Sequence, residues 1–177
     1  MKKVNKATFA KSVLLHEDLD ETLVWDGQAD NSSYTVYSPS GSIRLKGTVK
    51  NGKLEGKKIR YSSNGKVSQT AFYVNGGIHG EFKVYYENGS LLTKSFYKRG
   101  IVHGPYSTYH LNGQVLCDVN YNNGTKVGTE RRYHSNGNIR LECTYNEKGA
   151  LDGYLRCYTK RGKLKSELLY KNGVAVI

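Results

Sequence analysis

The sequence is poor in the residues that usually fill a globular core. Among 177 residues there are four Phe, one Trp, one Met and two Pro, and hydrophobic residues make up 37%. One globular domain of this length could bury about 70% of its unfolded surface, but so few large apolar side chains argue against an ordinary compact core. No run approaches the roughly 20 apolar residues of a bilayer-spanning helix, so no transmembrane segment is expected. Acids are scarce as well, 15 against 27 Lys and Arg, which leaves a formal net charge of +12. The three cysteines, Cys117, Cys143 and Cys157, show no paired spacing and fit a reducing compartment. After Lys2, Lys3 and Lys6 the stretch from Ala7 to Leu15 is broken by Lys11 and runs into Glu17-Asp18. No signal peptide is read from it, and a cytoplasmic location is expected.

Tyrosine and glycine, by contrast, are abundant, at 15 and 20 residues. With so little proline, that composition argues against simple disorder. Both residues are periodic. Gly41, Gly65, Gly89, Gly113, Gly137 and Gly162 form one series with a 24-residue step, broken once by a step of 25 near Glu147-Lys148. Gly52, Gly76, Gly100, Gly124, Gly149 and Gly173 form a second series, and Gly56, Gly80, Gly104, Gly128 and Gly153 a third. Tyr37, Tyr61, Tyr85, Tyr109, Tyr133 and Tyr158 precede the first series by four residues, and Tyr73, Tyr97, Tyr121, Tyr145 and Tyr170 keep register with them. Such a period is the signature of stacked structural repeats. Six repeats are expected, at 33–56, 57–80, 81–104, 105–128, 129–153 and 154–177. Residues 1–32 are expected to form an N-terminal cap, in which Val24-Trp25-Asp26-Gly27 resembles Val49-Lys50-Asn51-Gly52 and reads as a half-repeat.

Each repeat reads as two short strands and two turns. Asn-Gly at 64–65, 88–89, 112–113 and 136–137 predicts hairpins with type I′ turns, because that dipeptide tolerates two positive φ angles. Asn51-Gly52, Asn75-Gly76, Asn123-Gly124 and Asn172-Gly173 mark the second turn. Alternation places Leu91, Thr93, Ser95 and Tyr97 on one face of their strand, and their equivalents predict a core ladder of aliphatics and tyrosines. First strands carry residues that change from repeat to repeat: Tyr34 and Val36, Lys58 and Arg60, Phe82 and Val84, Tyr106 and Thr108, Glu130 and Arg132, Leu155 and Cys157. These are expected on the other face, where a repeat protein keeps its specificity.

No catalytic or metal site has convincing spacing. His79 and His103, like His110 and His134, recur one repeat apart, about 10 Å in a stack of hairpins, too far to share a metal. The run Glu17-Asp18-Leu19-Asp20-Glu21 lacks the glycine and closing Glu of a calcium loop. No nucleophile with a base and no phosphate-binding loop is present, so an enzyme is not expected, nor a cofactor. Residues 34–177 hold 23 basic against nine acidic side chains, a field that favours acidic partners. Large residues at the variable positions, with Tyr86 beside them, are the candidate partner-binding anchors: Tyr34, Arg60, Phe82, Tyr86, Tyr106, Arg132 and Arg156.

Asn51-Gly52-Lys53-Leu54-Glu55-Gly56 leading to Arg60-Tyr61-Ser62-Ser63-Asn64-Gly65-Lys66 resembles the MORN-variant repeat of bacterial proteins, and the resemblance runs from 33 to 177. It implies an all-β fold, an elongated antiparallel sheet or solenoid of six 24-residue hairpin repeats. At about 4.8 Å per strand the six would span roughly 60 Å. Antitoxin or immunity-like proteins of this kind occlude a toxin or effector, here one with an acidic face. The family also implies an alternative, a basic scaffold that binds anionic lipid or nucleic acid peripherally.

Overall fold

The computed structural model describes residues 22–25 and 31–176; of the expected cap, residues 1–21 with the acidic run 17–21, and residues 26–30, lie outside them. The chain divides between Gly89 and Ser90 into two units. The first contains β1 (Thr22–Trp25), β2 (Asn31–Tyr37), β3 (Ile43–Lys50), β4 (Lys53–Tyr61), β5 (Val67–Val74) and β6 (Gly77–Tyr85). The second contains β7 (Leu91–Lys98), β8 (Ile101–Tyr109), β9 (Val115–Asn122), β10 (Thr125–Tyr133), β11 (Ile139–Tyr145), β12 (Gly153–Tyr158), β13 (Leu164–Lys171) and β14 (Val174–Val176). Within each unit every strand pairs antiparallel with the next in sequence. The fold is all-β, built from successive hairpins, as the period predicts. Among the described residues no helix is long and apolar enough to cross a membrane.

The two turn series have different chemistry, and the type I′ turns expected in the first series occur in the second. In the second series Asn51, Asn75, Arg99, Asn123 and Asn172 all have positive φ, as do the glycines that follow, so these are the two-residue type I′ hairpins. In the first series only the glycine is left-handed. Gly65 N–H donates to the Ser62 carbonyl at 3.0 Å and Ser62 N–H to the Lys66 carbonyl at 2.9 Å, a three-residue loop of a type I turn followed by a left-handed glycine. The same pair of bonds closes the loops at Ser38, His110, His134 and Thr159. Pro39 follows Ser38 at the position where a type I turn favours proline. The additional residue at Glu147-Lys148 converts one two-residue hairpin into this longer kind, closed by Gly149 N–H on the Asn146 carbonyl at 2.9 Å.

Asparagine recurs in the first series for another reason: its amide reaches the next repeat. Asn64 Nδ2 donates to the Glu87 carbonyl at 3.0 Å, Asn112 Nδ2 to Ser135 at 3.0 Å and Asn136 Nδ2 to Lys160 at 2.8 Å. His110 and His134 act alike, with Nε2 at 3.2 Å and 3.0 Å from the carbonyls of Tyr133 and Tyr158. Turns thus tie repeat to repeat, satisfying carbonyls that strand pairing leaves over.

The third glycine series marks bulges. Between Lys46↔Ile59 and Thr48↔Glu55 the ladder advances two residues on β3 and four on β4, around Gly56 at φ +75°. Gly80 and Gly104, at φ +91° and +100°, sit in the same irregularity between β5 and β6 and between β7 and β8. Pro105 lies inside β8 beside Gly104, where the bulge removes the need for its missing N–H. On their other side these strands pair regularly, and the tyrosines face the glycines: Gly56↔Tyr73, Gly104↔Tyr121, Gly128↔Tyr145, Gly153↔Tyr170.

Candidate binding surface

Directly opposed residues of an antiparallel pair project to the same face. The register therefore corrects the expected separation of a tyrosine core from a variable face. Tyr34 is opposite Gly47, Val36 opposite Leu45, Lys58 and Phe82 both opposite Ala71, and Tyr106 opposite both Ser95 and Val119. The variable first-strand residues share the tyrosine face. Tyr34, Lys58, Phe82, Tyr106 and Glu130 stand over the small position of adjacent second strands, a series of Gly47, Ala71, Ser95, Val119 and Cys143 in which every member is buried. Alternation settles which residues of one strand go together; it does not settle the phase between strands joined by a bulged hairpin.

The candidate anchors take different places within their units. Tyr34 is 0% exposed and forms the core of the first unit with Val36, Leu45, Val49 and Leu54, so it is a packing residue. Arg60 and Phe82 in the first unit, and Tyr106 and Arg132 in the second, lie half-buried on the tyrosine face of their own unit. The Tyr106 ring meets Tyr121 edge-on at 5.5 Å between centroids. Tyr86 occupies a first-series turn, its carbonyl accepting from Gly89 N–H at 2.8 Å. Arg156 lies on the opposite face, over the Tyr154 ring at 4.7 Å.

Sequence reasoning missed the charge buried in the second unit. Glu130 is 0% exposed at the position held elsewhere by Tyr34, Phe82, Tyr106 and Leu155. Lys126 Nζ lies 2.6 Å from Oε2 and Arg132 Nε 2.5 Å from Oε1, and Tyr145 Oη donates to Oε2 at 3.1 Å. Burial pushes the Glu130 carboxyl up, but the hydrogen bonds from Lys126 and Arg132 overcome it and hold the group below its ordinary value. Burial, with Cys143 and Glu130 nearby, pushes the Tyr145 hydroxyl well up. Burial and the Glu130 carboxylate likewise raise the Cys117 thiol, whose Sγ is 3.9 Å from Oε1, and burial raises Cys143. Thiols of this kind are weak nucleophiles at neutral pH. Among the described residues no cluster of three His, Cys, Asp or Glu is placed to hold a metal ion.

The opposite face carries charge in a pattern. Across the second unit Asp118 is opposite Arg131, Arg131 opposite Glu142, Glu142 opposite Arg156 and Arg156 opposite Glu167. Arg131 Nε lies 2.6 Å from Glu142 Oε2, and Arg156 Nε 2.5 Å from Glu167 Oε2. Five consecutive strands thus form a row of alternating sign. The same row in the first unit reads Thr35, Lys46, Ile59, Thr70 and Lys83. Lys46 therefore occupies the repeat position of Asp118, Glu142 and Glu167, with no acid opposite it. Lys50, Lys53 and Lys57 are exposed around it.

No curated protein matches the sequence. Among solved structures, that of a S. aureus TarM mutant in complex with fondaparinux, alpha-GlcNAc-glycerol and UDP aligns at 9% identity and a TM-score of 0.28, over 99% of this chain and 24% of the other. A crystal structure of TarM aligns at 13% identity and a TM-score of 0.26, over 98% of this chain and 25% of the other. The chain spans about a quarter of the length of those proteins. The family model described as the MORN repeat variant matches residues 54–75, 78–99, 102–123, 126–147 and 151–172. These five consecutive repeats cover more than half the sequence and begin within the hairpins that the glycine series defines, so the chain belongs to the MORN repeat variant family.

Proposed function

We propose that this chain is a non-enzymatic protein-binding repeat protein that occludes an acidic face of its partner, in the manner of an antitoxin or immunity protein. Repeats of the family typically bind protein or membrane partners and are generally non-catalytic. The observation that carries the reading is the surplus of displayed cations. Residues 31–89 hold nine Lys and Arg against three Glu, and residues 90–176 hold fourteen against six acids. The hydrogen-bonded strands of each unit fix such charges in place, which favours complementarity with a partner of opposite sign. Arg60, Phe82, Tyr86, Tyr106, Arg132 and Arg156, all half-buried, remain the proposed anchors; Tyr34 does not. Free Cys117, Cys143 and Cys157 fit the reducing cytoplasm, which is part of the proposal.

The test is retention of partners by the tagged protein from its source lysate, with and without nuclease, at about 0.15 M salt. One protein retained after nuclease treatment is the expected result. Recovery that disappears with nuclease, or that needs anionic vesicles, replaces this reading with peripheral binding of nucleic acid or lipid.

A further inference from the structure

The first unit carries a hollow of about 310 Å³ where β2, β3 and β4 meet at the Gly56 bulge. On its charge-face side it is lined by Ser33, Thr35, Lys46, Thr48, Lys57 and Ile59. Thr35, Lys46 and Ile59 form one cross-strand row, and Ser33 is opposite Thr48. Lys57 enters from the bulge and has exposed Phe72 as its cross-strand partner. Both lysines are exposed, and no carboxylate among the described residues pairs with either. The Thr48 hydroxyl is engaged, donating to the Glu55 carbonyl.

We propose that this hollow is an anion subsite that seats a carboxylate side chain of the acidic partner; the inference rests on the protein-binding reading and locates its centre. The second unit shows the chemistry in reverse. There the Lys46 position is held first by Lys94 and then by Asp118, Glu142 and Glu167, and each of these three carboxylates has an arginine directly opposite on the same face. Among the described residues the first unit has the cations of such a row and lacks the acids, and a partner supplies them. Two lysines give six donors without a fixed fork, so they accept a carboxylate in more than one orientation. The hydroxyls of Ser33 and Thr35 add neutral donors, and Ile59 gives an apolar surface to the methylenes of Glu or Asp. From Asp118 to Glu167 the charges of the second unit's row are already matched within the chain, so an acidic partner gains less there.

The experiment measures fluorescence anisotropy of a labelled synthetic Glu-rich peptide at about 0.15 M salt. It compares the wild type, Lys46→Ala/Lys57→Ala, and a control of equal charge loss in the second unit, Lys163→Ala/Lys165→Ala. Unchanged melting temperatures confirm that both variants fold. The expected result is a loss of at least tenfold in peptide affinity for the first variant and less than twofold for the control. Equal losses in the two variants, absence of peptide binding by the wild type, or stronger binding to phosphatidylserine vesicles than to the peptide each overturn the subsite. The lysate experiment separates this failure from failure of the broader reading. A partner retained equally by wild type and by Lys46→Ala/Lys57→Ala removes the subsite and leaves the protein-binding function standing. No protein retained by the wild type removes the function itself.

Discussion

The ring of Tyr34 fills the space above Gly47, its cross-strand partner. A Cβ built on that glycine would stand 2.7 Å from ring atom Cε1 and 2.8 Å from Cζ. Gly47 is one of the small residues of its series, and it is small because the largest buried side chain of the first unit needs that space. Gly47→Ala is therefore expected to cost about 1–3 kcal/mol by overpacking. Urea unfolding followed by tyrosine fluorescence measures it. An unchanged midpoint would mean that the ring can leave its place without loss.

A second expectation concerns Arg99. It has φ +52° in a type I′ turn where four equivalent hairpins place asparagine. The left-handed region costs an ordinary L-residue about 1–2 kcal/mol, and asparagine tolerates it better. Arg99→Asn should accordingly raise stability by roughly 1 kcal/mol, seen as a higher melting temperature. A lower one would show that the arginine side chain has contacts that matter more than the backbone.

These two cases also mark what the sequence discloses and what it hides. The 24-residue step, the two hairpins per repeat and the place of the extra residue near Lys148 are all legible, because turns need particular backbone angles and glycine reports them. The kind of turn is not legible from Asn-Gly alone. Asn51 is selected for its positive φ, and Asn64 for an amide that reaches the Glu87 carbonyl, and the dipeptides look identical. The phase of the faces is hidden because Gly56 and its equivalents insert residues that alternation does not count. Glu130 is hidden because a carboxylate at a strand position reads as solvent-facing. Its alignment with Tyr34, Phe82, Tyr106 and Leu155 was the available signal. The candidate subsite was legible in part: one repeat position reads Lys46, Thr70, Lys94, Asp118, Glu142 and Glu167, and the sign reversal after Lys94 emerges once the repeats are stacked in register.

Glu130 makes the second unit sensitive to acid. Its carboxyl titrates below its ordinary value in the folded protein, so the carboxylate stabilises the fold at pH values above the unfolded value of about 4.3. That contribution disappears as pH falls through the lower, folded value. Glu130→Gln should cost about 1–3 kcal/mol at pH 7, the usual range for breaking a buried charged hydrogen-bond set. Denaturant titrations at pH 7, 5, 4 and 3 should show the gap between wild type and variant closing towards the acid end. A gap that stays constant with pH would mean that Glu130 acts through shape and not through its charge.

The alternating row gives the last expectation, and it distinguishes electrostatics from packing. Glu142 stands between Arg131 and Arg156, directly opposite both. Glu142→Arg would place three guanidinium groups side by side on adjacent strands. Each like-charge pair directly across a sheet costs up to roughly 1 kcal/mol, less where the groups are well solvated. Arg131 is 43% exposed and Glu142 24%, so the expected total is about 1 kcal/mol at low salt. Glu142→Gln, which removes the attraction without adding repulsion, should cost less. Raising the salt to about 1 M shortens the screening length to about 3 Å, and most of the difference between the two variants should then vanish. If the Arg variant is equally destabilised at both salt concentrations, the row is held by side-chain packing over the strands, and the matched charges of the second unit no longer explain why an acidic partner would favour the first.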